Sequence, residues 1–89
     1  MSKLNRLGSV ILSILEKNEK VDAFHSMTVS EIFEEADGYG YKENTFYRKL
    51  KEFEKDGFVK TGLKEGKAFT FFITEAGIEF LEREKKGEN

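Results

Sequence analysis

Cysteine, proline and tryptophan are absent from the chain, and histidine occurs once. Without thiols there is no disulfide framework, no thiolate zinc site and no cysteine nucleophile. His25 has no second histidine with which to share a metal, so no metal or other cofactor is expected. Gly38 and Gly40 do not open a strand-loop-helix phosphate motif. The clustered carboxylates stand at ordinary surface positions, with no paired acid and base in a recognisable pocket, so the chain does not read as an enzyme. No apolar run approaches the roughly 18 residues that span a bilayer, and the first residues lack the ordered zones of a signal peptide. The expected setting is the cytoplasm, with no membrane partner.

What is present suffices for one small hydrophobic core: 89 residues, 38% hydrophobic, with 9 Phe and 3 Tyr. The net charge of -2 hides an asymmetry. Between Lys42 and Lys67 eight basic residues face five acidic ones, a balance of +3, and the remainder carries 7 basic and 12 acidic residues, a balance of -5. Such polarity places one face against a polyanion and leaves the other in water.

Leu4, Leu7, Val10, Ile11, Ile14 and Leu15 recur at three- and four-residue steps, which predicts a helix over about residues 3–17. Residues 18–26 are largely polar and read as a loop that leads into a very short extended piece at Ser26–Thr28. Thr28 and Glu31 have the spacing of a capping box, flanked by Met27 and Ile32 as a hydrophobic staple, so a second helix is expected from Val29 to Ala36. A third runs from about Glu43 to Asp56 with Phe46, Leu50 and Phe53 inward, and closes on Gly57 as a left-handed cap. Strands are expected at Phe58–Leu63 and Lys67–Thr74, the second with Phe69, Phe71 and Ile73 on one face, joined at Lys64-Glu65-Gly66. Thr74 caps a last helix with Gly77, Ile78 and Leu81 inward, and residues 85–89 are expected to fray.

That order implies an α+β, mostly helical chain with the winged helix-turn-helix architecture: a three-helix core, a two-stranded β-hairpin wing at about 58–74 and a C-terminal helix, all within one domain, 1–89. The run Thr45-Phe46-Tyr47-Arg48-Lys49-Leu50-Lys51-Glu52-Phe53-Glu54-Lys55-Asp56-Gly57-Phe58-Val59 resembles the recognition-helix signature of PadR-like and MarR-like transcriptional regulators. Phe72-Ile73-Thr74-Glu75-Ala76-Gly77 is similar to the strand-to-helix junction that those families place after the wing. Phe53 and Phe58 stand where Leu is common, exchanging one apolar filler for another. The resemblance implies a double-stranded DNA partner and regulation of transcription.

On the outward face of the third helix, Asn44 and Arg48 are the residue types that match adenine and guanine edges, and Thr45 joins them at its first turn. Tyr47 suits sugar or phosphate, and Lys51 and Lys55 suit the backbone. Lys64 and Lys67 at the wing tip and Lys60 on its stem would add phosphate or minor-groove contacts, and Thr28 and Ser30 at the start of the second helix offer hydroxyls and amides to one more. Phe80 sits off the stripe of Ile78 and Leu81 and is expected to stand uncovered, forming with Leu4 and Leu7 the seam of a homodimer on a palindromic site. Three roles stay open: a repressor-type transcriptional regulator, a centromere-binding adaptor of a plasmid or phage partition system, and a protein-interaction module without DNA. No residue pattern names an operator or a small-molecule effector.

Overall fold

The structure, a computed structural model, describes residues 5–87. Leu4 lies outside them, and of residues 38, 39, 86 and 87 only the backbone is described. Helix α1 (Arg6–Lys17) begins where Asn5 Oδ1 accepts the Gly8 N–H at 2.7 Å, satisfying one of the orphan donors of the first turn. It buries Leu7, Ile11, Ile14 and Leu15 as its periodicity predicts, and also Leu12, which lies outside the expected stripe. Leu12 is covered because α1 is packed from several directions, by the second, third and fourth helices and by the sheet.

The extended piece is strand β1 (Met27–Thr28), and it pairs antiparallel with the second strand of the hairpin, Met27 opposite Phe71 and Thr28 opposite Thr70. The expected two-stranded hairpin is therefore part of a three-stranded sheet, in which the short strand occupies what would be an open edge. Helix α2 (Val29–Glu35) starts at the capping box: Thr28 Oγ1 accepts the Glu31 N–H at 3.1 Å and Glu31 Oε1 accepts the Thr28 N–H at 2.8 Å. A 3₁₀ turn (Asp37–Gly40) follows, with Asp37 and Gly40 at positive φ.

Helix α3 (Glu43–Asp56) buries Phe46, Leu50 and Phe53, and Phe46 meets Phe33 of α2 edge to face, centroids 5.3 Å apart. Gly57 caps it at φ 85. The hairpin strands β2 (Val59–Thr61) and β3 (Thr70–Ile73) are shorter than their hydrophobic alternation suggests. Phe71 and Ile73 are buried, whereas Phe69, expected beside them, is 48% exposed because the hairpin runs past the core before it turns. Glu65 and Ala68 exchange backbone hydrogen bonds in both directions, so the two-residue loop is Gly66-Lys67, one step beyond the expected turn, with Gly66 at φ 60.

Helix α4 (Glu75–Gly87) starts at Thr74, whose Oγ1 accepts the Gly77 N–H at 3.0 Å and donates to the Gly57 carbonyl at 2.7 Å. It continues to Gly87, through most of the segment expected to fray. Phe80 corrects another expectation. It is 8% exposed and stacked on Phe58, because the turn after α3 brings Phe58 under α4, a packing angle that a single-helix wheel does not contain.

Candidate nucleic-acid interface

The exposed side of α3 gathers several cations on one face. At 100° per residue, Asn44, Arg48, Lys51 and Lys55 fall within an arc of about 60°, opposite the Phe46, Leu50 and Phe53 anchor. All four are exposed. Tyr47, also exposed, stands at the side of this strip, next to Lys51 one turn on. Thr45 is half-buried and with Arg48 borders an open groove of about 350 Å³, lined too by Asn5, Leu7, Tyr41, Lys49 and Glu52. It flanks the strip instead of standing in it.

Carboxylates border the strip on both sides. Glu52, on the groove side, holds Lys49 at 3.2 Å, and Lys49 lies over the Phe53 ring. On the other side Glu54 Oε1 accepts from Lys51 Nζ at 2.7 Å, and Glu54 Oε2 accepts from the Thr61 hydroxyl of β2 at 2.6 Å. The Lys51 hydrogen bond, then the Thr61 one, holds the Glu54 carboxyl below its ordinary range, and the same Glu54 bond raises Lys51 above the usual lysine value. At the start of α3, Glu43 Oε2 accepts from the Ser30 hydroxyl at 2.8 Å. The helix is thus clipped to α2 at one end and to the hairpin at the other by hydroxyl-to-carboxylate bonds.

The sequence-predicted site is only partly brought together. Thr28 is 7% exposed and its hydroxyl and N–H are both engaged in the capping box, so neither faces an external phosphate. Ser30 is exposed, but its hydroxyl is given to Glu43. Lys60 alternates with Thr61 along β2, so it lies on the sheet face opposite the one that meets Glu54. Lys64 and Lys67 stand exposed at the hairpin tip, the Lys64 ammonium 4.7 Å from the Phe69 ring centroid. Leu7 and Phe80 are buried in the core cluster and do not present an apolar seam, and Leu4 is outside the described residues.

Glu54 and Thr61 were not singled out by sequence. The Lys51/Glu54 pair was readable from its three-residue spacing on a helix, but nothing in the pattern joins Glu54 to a threonine beyond a glycine turn. Among the described residues no group of three metal-ligating side chains comes together, and no helix is long and apolar enough to cross a membrane.

Helices α1 to α3, the strand pair with β2 beside α3, and α4 packed on α1 and β3 define a winged helix-turn-helix fold, α+β and mostly helical. Solved structures share this arrangement. TubR from Bacillus megaterium pBM400 is similar with a TM-score of 0.73 and 29% identity, over 90% of this chain and 84% of its own. The DNA-binding TubR fragment from Clostridium botulinum is similar with a TM-score of 0.67 and 28% identity, over 93% and 98%. A PadR family transcription regulator from Clostridium difficile R20291 shares the fold with a TM-score of 0.74 at 24% identity, over 93% and 86%. No family model matches the sequence, and no curated protein matches it.

Proposed function

We propose that this protein is a sequence-specific double-stranded-DNA-binding regulator that works as a homodimeric repressor in the cytoplasm, with α3 in the major groove. The observation that carries this reading is the exposed arc of Asn44, Arg48, Lys51 and Lys55 on a helix whose opposite face is anchored by Phe46, Leu50 and Phe53. Asn44 and Arg48 then read base edges, while Lys51, Lys55 and the tip residues Lys64 and Lys67 meet phosphates. The DNA-binding TubR fragment supports the same class of partner. A net charge of -2 and carboxylates on both flanks leave one copy with modest attraction for phosphate, so two copies on half-sites about 34 Å apart supply the contacts that one lacks.

Fluorescence anisotropy at low salt, with a duplex from the native upstream region and a random duplex of equal length, tests the proposal. Wild type is expected to bind, and Lys51→Glu/Lys64→Glu to lose binding. Absence of binding by wild type overturns the DNA reading and leaves a protein-interaction module. Footprinting on a long native fragment separates the regulator, protecting one palindromic operator, from a partition adaptor, protecting an array of repeats.

A further inference from the structure

The Glu54 carboxylate makes two bonds with different consequences. Through Oε2 and the Thr61 hydroxyl it joins the last turns of α3 to the first strand of the wing, and through Oε1 it holds the ammonium of Lys51, a member of the exposed arc. Glu43, bound to Ser30, lies 11 residues earlier, which puts the two carboxylates within about 20° on the helix wheel and about 16 Å apart along the axis. That edge of the cationic strip therefore carries a carboxylate near each end, with Tyr47 between them. A duplex that slides or docks out of register brings phosphates against this edge, where like charge repels them and Lys51 is already occupied. A duplex seated squarely on the arc offers Lys51 a phosphate oxygen in exchange for the Glu54 oxygen. Lys51 is exposed and Glu54 half-buried, so the ammonium side of the pair is open to a competing anion.

The geometry points to Glu54 as a positioning and specificity-determining residue: it aligns the wing with α3 through Thr61, and it withholds Lys51 from phosphates that are not correctly placed. This inference rests on the DNA-binding proposal above. It adds a role for an acidic residue on a surface whose affinity comes from cations.

Three variants of the full chain separate the two bonds, each checked for folding by circular dichroism and titrated against salt on native and random duplexes. Glu54→Gln keeps an acceptor for Thr61 and removes the charge. Its affinity for random duplex is expected to rise about two- to five-fold, the size of a surface ion pair, and its log-log salt slope on that duplex to steepen by about one phosphate contact. Glu54→Ala, at a half-buried helical position that alanine suits, is expected to show the same steeper slope together with weaker native-site binding than the Gln variant. Thr61→Val is expected to keep the wild-type slope while losing native-site affinity several-fold. If wild type binds duplex and both Glu54 variants keep its slope and its native-to-random ratio, this inference is overturned and the DNA-binding proposal stands. If wild type binds no duplex, both fall.

Discussion

The rings of Phe58 and Phe80 lie face to face, their centroids 4.3 Å apart and their planes inclined by 7°. Phe58 follows the glycine that ends α3 and Phe80 belongs to α4, so the stack joins the C-terminal helix to the root of the wing. Phe80→Ala is expected to destabilise the fold by about 3 kcal/mol in equilibrium urea unfolding, the range for removing a buried Phe ring. A loss below about 1 kcal/mol would show that the stack is dispensable.

Gly77 is the second joint of that contact. A Cβ there would stand 2.2 Å from the Phe58 carbonyl oxygen and 2.7 Å from Ile73 Cγ1, and a backbone oxygen cannot swing aside as a side-chain tip does. Gly77→Ala is expected to cost at least about 2 kcal/mol and to lower the thermal midpoint markedly. Gly66→Ala, at positive φ but with open space around it, is expected to cost only about 1 kcal/mol.

Thr28→Ala removes the hydroxyl that accepts the Glu31 N–H and is expected to cost about 1 kcal/mol of stability. Because the Thr28 hydroxyl faces the cap and not solvent, the salt slope of duplex binding is expected to match wild type. A shallower slope would restore Thr28 to the phosphate contacts.

Arg48→Ala is expected to cost about 1 to 3 kcal/mol in native-site binding and to relax base preference at one position of each half-site. Lys55→Ala is expected to weaken native and random duplexes alike and to reduce the salt slope by about one. Competition titrations with a panel of single-base variants of the site distinguish the two patterns.

Acid reports on the Glu54 clip. Its carboxyl is held below the ordinary value of 4.5 in the folded chain, so the stability it contributes is fully present above that value and is lost as pH falls through the lowered folded one. Asp22, lowered chiefly by its hydrogen bond with the His25 ring, acts in the same direction. Urea midpoints measured from pH 6 down to pH 2.5 are expected to drop less steeply for Glu54→Gln than for wild type. Parallel curves would show that Glu54 gains nothing from Lys51 and Thr61.

Local signals in the sequence were reliable where neighbours along the chain define the structure. The Thr28/Glu31 box, the left-handed Gly57, the Thr74 cap and the Phe46, Leu50 and Phe53 face all stand as their spacing indicates. The exposed arc of α3 was legible for the same reason, since residues opposite an apolar stripe must face outward. Thr28, offered to a phosphate as a hydroxyl at a helix start, and Phe80, read from one helix's stripe, both turn inward. A hydroxyl suited to a phosphate is equally suited to its own helix cap, and a residue off one helix's stripe is buried whenever another element arrives at the right angle.

The sequence by itself therefore determined which segments form the four α-helices, the caps at Thr28, Gly57 and Thr74, and which side of α3 carries the cations, because caps and periodicities act over a few residues. Only the tertiary structure decided that β1 closes the edge of β3, that Leu12 and Phe80 are interior, and that Glu43 and Glu54 clip the two ends of α3 to Ser30 of α2 and Thr61 of β2. Those contacts join different elements across turns and loops, so they depend on how the elements pack and on the glycines that let the chain turn back, and no local pattern encodes that geometry.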